Sequence, residues 1–203
     1  MDDVWFGNIT QGDAELASRV TLAMRELYKR RPGMFAYFEG RDALVPGRGQ
    51  VYHVVGRSPD EPLGYALCDV LATDHQRYPV SYYERVSGRP ELVDPQGRLI
   101  SHVDFSLYPG YQSFVGQGPL VHVALLEVWR RGQGYGSALV NYLQGQPYEL
   151  LEVTAYGAKR DFFAKQDFVD TTLRTDEPDD PGTVMAWHNP AYRQHWSSLD
   201  AKL

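Results

Sequence analysis

The run from Leu120 to Leu143, "LVHVALLEVWRRGQGYGSALVNYL", constrains this chain more than any other stretch. Its first seven residues have the apolar density of a buried central strand, and Ala138, Leu139, Tyr142 and Leu143 recur at helical spacing further on. Between them Gly132, Gly134 and Gly136 alternate with other residues, just behind Arg130 and Arg131. Glycine permits backbone angles and close approaches that side chains forbid, so consecutive N–H groups can converge on one centre. A helix starting at that point adds unpaired donors and the positive end of its dipole. The stretch therefore reads as an anion cradle, suited to a phosphate or pyrophosphate with the two arginines at its rim.

The rest of the chain places this unit in a mixed α/β order. "VWFGNI" (4–9) is a strand candidate, followed by a helix in which Leu16, Val20, Ala23, Met24 and Leu27 make one apolar face. Thr10 or Asp13 can cap that helix by accepting its first N–H groups, and "RRPGMF" ends it. "QVYHVVGR" (50–57) and "PLGYALCDVLA" (62–72) read as an antiparallel hairpin turned by "SPDE". After the cradle come a strand "YELLEVTA" (148–155), a helix "YGAKRDFFAKQ" (156–166), and strands "FVDTTL" and "TVMAWH". With 203 residues, 43% of them hydrophobic and no internal repeat, we expect a single domain over 1–203 with an insertion at 73–118 and a tail at 189–203. Within the insertion, "ELVDPQGRLISHVDF" looks like its own hairpin around Asp94-Pro95-Gln96-Gly97.

Composition removes several function classes. The formal net charge of −6, spread over both halves, does not advertise the basic face that nucleic acid demands. No apolar run approaches the roughly 20 residues of a membrane helix, and the start "MDDVWF" lacks the pattern of a secretion signal, so a cytoplasmic protein is expected. The single cysteine, Cys68, sits in an apolar strand and reads as a buried thiol rather than a nucleophile.

Two known phosphate loops fit the cradle poorly. A P-loop needs Gly-Lys-Ser/Thr at the helix start, where this chain has Gly136-Ser137-Ala138. A dinucleotide fold needs G-x-G-x-x-G and an acidic residue about 20 positions on, for which Glu149 and Glu152 are loosely placed.

Arg131-Gly132-Gln133-Gly134-Tyr135-Gly136 resembles instead the Arg/Gln-x-x-Gly-x-Gly/Ala loop of the GNAT N-acetyltransferase superfamily, and "AKRDFFAKQDF" resembles that family's second signature. The resemblance runs from Val4 to His188, most firmly over 120–168. It implies an α/β (α+β) fold: a mixed, mostly antiparallel central sheet flanked by helices, with two central parallel strands, "LVHVALL" and "YELLEV", splayed apart. It also implies acetyl-CoA as co-substrate and no metal. The backbone of Leu125, Leu126 and Val128 would pair with the pantetheine arm. The amides of Gln133, Gly134, Tyr135 and Gly136, with neighbours Arg130, Arg131, Gly132 and Ser137, would hold the pyrophosphate.

The implied reaction is acetyl transfer to a primary amine of a small-molecule or peptide acceptor by direct attack. It needs a base for the amine and a proton for the departing thiolate. His122 is the first candidate base, because imidazole titrates near neutral pH and this one interrupts an apolar strand; hydrogen bonding beside the core is its plainer role. Asp69 and Asp104 are the other candidates, and Glu127 reads as a rim residue. The family's proton-donating tyrosine falls at Phe163 and its glycine at Asp167, so Tyr156, Tyr135 or solvent would protonate the thiolate. The same departures leave open an acyl-CoA-binding module without transferase activity. In the insertion, Tyr78, Tyr82, Tyr83, Phe105, Tyr108, Tyr111 and Phe114 could line an acceptor pocket, pack a subsidiary core, or form a homodimer contact.

Overall fold

A computed structural model of the chain describes residues 4–30, 44–47, 49–71, 85–86, 89–90, 92–93, 99–101, 119–129, 131–174 and 182–192. In chain order its elements are strand β1 (Trp5–Ile9), helix α1 (Ala14–Arg30), strands β2 (Gln50–Ser58) and β3 (Glu61–Leu71), and four short strands, β4 (Arg85–Val86), β5 (Arg89–Pro90), β6 (Leu92–Val93) and β7 (Leu99–Ser101). Then follow β8 (Leu120–Val128), helix α2 (Tyr135–Gln144), β9 (Leu150–Ala155), helix α3 (Lys159–Ala164), β10 (Val169–Arg174) and β11 (Thr183–His188). Seven strands form one sheet in the order β1-β2-β3-β8-β9-β11-β10. The ladders β1–β2, β2–β3, β9–β11 and β10–β11 are antiparallel, and β8–β9 is parallel. Parallel neighbours need a crossover, which the glycine loop and α2 provide. The mixed, mostly antiparallel sheet expected from the sequence is therefore the observed one, and the hairpin expected in the insertion is present as the β6–β7 ladder.

The chain divides into two compact units, residues 1–69 with 123–145 and residues 70–122 with 146–203. In the first, α1 buries Ala17, Val20, Thr21 and Met24 against a core that includes Ile9, Leu44, Tyr52, Tyr65 and Trp129. The apolar face follows the three- and four-residue steps of the sequence. Thr21 joins it without penalty because its hydroxyl accepts the Leu44 N–H at 3.0 Å. Asp13 is the N-cap residue, its carbonyl taking the Ala17 N–H. Its carboxylate, though, reaches back to the Thr10 N–H and hydroxyl, and those bonds hold it below the ordinary carboxylate range. Cys68 is fully buried in β3, which pushes its thiol far up and leaves it a poor nucleophile, as expected.

In the second unit β9 and β11 bury Leu150, Leu151, Val153, Val184, Met185 and Trp187, on both faces of the sheet, and Phe163 and Phe168 are buried as well. Helix α3 is shorter than the eleven-residue pattern suggests, because Gly157 turns the chain with φ 49° before it and a Schellman motif ends it. The Phe168 N–H bonds the Phe163 carbonyl and the Asp167 N–H bonds the Ala164 carbonyl. Among the described residues no helix is long and apolar enough to cross a membrane.

Candidate active site

The cradle is built in the first unit. Residues 125–128 of β8 are half-buried, and Trp129 is buried with its N–H donated to the Leu63 carbonyl at 2.6 Å. From Arg131 to Gly134 the chain is exposed. Gly132 and Gly134 both lie in the left-handed region, at φ 75° and 82°, where a side chain would cost on the order of 1–2 kcal/mol. Gly136 differs: it sits within the first turn of α2, so its contribution is the absence of a side chain, not an unusual backbone angle. Gly134 is the N-cap, its carbonyl accepting the Ala138 N–H at 2.8 Å. No side chain caps this helix and no acidic residue stands in its first turn. Helical geometry gives the N–H groups of Tyr135, Gly136 and Ser137 no intrahelical acceptor, so an anion is favoured there.

Helix α2 is anchored on the opposite side. Leu139, Val140 and Leu143 are buried, and the Tyr142 hydroxyl donates to Asn8 Oδ1 at 3.0 Å. The same oxygen takes the Nδ1–H of His53 at 2.8 Å. Burial pushes the His53 imidazole down to about 4, so it is neutral at ordinary pH. Tyr135 packs against the first unit's core.

In the second unit the parallel ladder pairs Leu120, Val121 and His122 with Leu150, Leu151 and Glu152. His122 Nδ1 lies 3.1 Å from Glu152 Oε1; the histidine side chain is 15% exposed and the glutamate 2%. Sequence reasoning named the histidine but not this partner. Only the register of two strands 30 positions apart puts them opposite one another. Tyr156 follows β9, half-buried, with its ring against the backbone of Gly182.

The other candidates separate on contact. Asp69 is half-buried and accepts a hydrogen bond from Gln50 at 2.8 Å across the β2–β3 ladder. Glu127 accepts the hydroxyl of buried Tyr65 at 3.0 Å. Phe163 is 4% exposed, wedged between Phe162 and Phe168 at centroid distances of 5.0 and 5.3 Å. Arg130, Asp104 and the aromatic residues of the insertion named above lie outside the described residues.

No protein-family model matches the chain, and no curated protein matches its sequence. Solved structures do. A Lactobacillus plantarum protein described as an N-acetyltransferase superposes with a TM-score of 0.50 at 13% identity, over 93% of this chain and 99% of that one. Arabidopsis thaliana NAA60, solved with acetyl-CoA, gives 0.48 at 14% identity over 91% and 98%. A GNAT-family acetyltransferase from Bacillus cereus gives 0.43 at 10% over 92% and 97%. The first of these shows a shared fold. That shared fold agrees with the one implied by the sequence resemblance to the GNAT superfamily.

Proposed function

We propose that the chain is an acetyl-CoA-dependent N-acetyltransferase that acylates a primary amine of a small-molecule or peptide acceptor by direct attack. One observation carries the reading: a strand runs into two left-handed glycines and then into a helix whose N-terminus has neither a capping side chain nor an acidic first turn. That cradle fits a pyrophosphate. Gln133, Gly134, Tyr135, Gly136 and Ser137 would hold it through backbone N–H groups, with Arg130, Arg131 and Gly132 at its edge. The half-buried backbone of Leu125, Leu126 and Val128 would pair with the pantetheine arm.

A bound acetyl thioester supplies an electrophilic carbonyl. His122 would take the proton of the attacking amine, and Tyr156 would give one to the leaving thiolate. Asp69 is the weaker base, because Gln50 already holds its carboxylate.

The test is calorimetry with acetyl-CoA against NAD, followed by thiol release across a panel of amines. Acetyl-CoA should bind and NAD should not; at least one primary amine should yield free thiol, and His122→Ala should lower its turnover while leaving acetyl-CoA affinity near wild type. A second reading, an acyl-CoA-binding module without transferase activity, draws support from the burial of Phe163 where the family has its tyrosine. Binding without thiol release from any amine would favour it.

A further inference from the structure

Gly64 is required by space rather than by backbone angle. Its φ lies outside the left-handed region that holds Gly132 and Gly134, so any residue could adopt it. A Cβ at this position would lie 2.6 Å from the Glu127 carbonyl oxygen, 2.8 Å from Val128 Cγ1 and 3.1 Å from Val128 Cα, whereas carbon contacts rest at about 3.5–4.0 Å. Two of those three atoms are backbone, so no rotamer change relieves the crowding. The flanking residues of β3 hold the same stretch of β8. The Leu63 carbonyl takes the Trp129 N–H at 2.6 Å, and the Tyr65 hydroxyl donates to Glu127 Oε2 at 3.0 Å. Leu63 and Tyr65 both join the core against which α1 packs, so Gly64 between them faces the other side of the sheet. All these residues lie in the same compact unit as the glycine loop and α2.

We infer that Leu63, Gly64 and Tyr65 set the position of Glu127 and Val128, with Gly64 a positioning residue for the strand end that takes the pantetheine arm. The inference rests on the proposed acetyl-CoA binding and adds to it a determinant outside the loop. A ligand that pairs with a strand as an added strand would gains its affinity from main-chain hydrogen bonds, and these weaken steeply as distance and angle depart from their optimum. A side chain at residue 64 would push the 127–128 backbone away by roughly 0.5–1 Å to restore ordinary contacts. The pyrophosphate cradle begins beyond Trp129, whose burial and bond to Leu63 hold the chain in place. The two halves of the ligand therefore feel the change unequally.

The experiment compares wild type, Gly64→Ala and Gly12→Ala in ligand-free crystal structures, and in calorimetry with acetyl-CoA and with ADP, which carries a pyrophosphate but no pantetheine arm. Gly12 is an exposed turn glycine with nothing within 4 Å of its Cβ position, so Gly12→Ala should match wild type for both ligands within about twofold. Gly64→Ala should displace the 127–128 backbone from β3 and weaken acetyl-CoA roughly tenfold, the loss of one or two hydrogen bonds, with ADP within about twofold. Should Gly64→Ala not fold, Tyr65→Phe carries the test through the same two affinities. It keeps the ring, removes the bond to Glu127, and should weaken acetyl-CoA by roughly three- to tenfold and ADP by less than about twofold. A 127–128 backbone unmoved in Gly64→Ala, an unchanged acetyl-CoA affinity, or an equal loss for both ligands overturns the inference, since β3 then supports the fold as a whole and not this strand end. A displaced backbone in a chain whose wild type binds no acetyl-CoA instead sinks the acetyl-CoA reading, and the ligand half of this inference with it.

Discussion

The ring of Tyr142 lies flat on that of Phe6, centroids 4.3 Å apart and planes 3° from parallel. Phe6 belongs to β1 and Tyr142 to α2, so this stack, with the Tyr142 to Asn8 hydrogen bond, ties the helix behind the cradle to the edge strand of its unit. Tyr142→Phe removes only the hydrogen bond and should cost about 1 kcal/mol in urea unfolding. Tyr142→Ala also removes the stack and should cost about 2 kcal/mol or more.

Gly134 combines a left-handed backbone with the position where the anion should sit. Gly134→Ala should destabilise the chain by about 1–2 kcal/mol through backbone strain alone. Gly134→Glu adds a carboxylate at the helix N-terminus and should abolish acetyl-CoA binding in calorimetry. Unchanged affinity would remove the loop from the proposed site.

Asp167 is the one described non-glycine residue with positive φ, at 62°. It occupies the C′ position of the Schellman motif, where glycine is usual, and the Phe163–Phe168 contact is that motif's apolar closure. Asp167→Gly should therefore stabilise the chain by about 0.5–1 kcal/mol in thermal or urea unfolding. Phe163→Tyr, which introduces the tyrosine that the GNAT resemblance implies at this position, places a hydroxyl in the core; it should destabilise by about 1–3 kcal/mol and leave thiol release no faster. A faster rate would show that this position does reach the thiolate.

His53 sets a pH dependence. Its pKa falls from an ordinary 6.5 to about 4 on burial, so between those values the unfolded chain binds a proton that the folded chain does not. Stability is then fully present above about pH 6.5 and declines as the pH drops toward about 4, by on the order of 3 kcal/mol. Urea unfolding of wild type and His53→Gln at about pH 7.5, 6 and 5 should show a shallower decline in the variant. Parallel slopes would mean that His53 is not protected from protonation.

Much of this was legible because local rules decide it. The period of Leu16, Val20, Met24 and Leu27 predicts α1, the turn-like "SPDE" predicts the β2–β3 hairpin, and the Gly-x-Gly spacing predicts a backbone cradle, since glycine adopts the left-handed φ values found at 132 and 134 without the cost a side chain brings. The reading of Gly136 as a third special backbone position did not hold, because the helix begins one residue earlier. Helix α3 is likewise shorter than the helix expected over 156–166, because the sequence pattern says nothing of where a Schellman closure stops it.

What the sequence by itself determined is thus the type of each main element and the backbone geometry of the loop between β8 and α2, properties set by periodicity and by the conformational range of single residues. Tertiary structure alone decided who faces whom. Strand register brought Glu152 to His122 and Gln50 to Asp69, and packing turned Phe163 into a core residue. Register and packing depend on long-range pairing, where a slip of one residue would reverse every side chain.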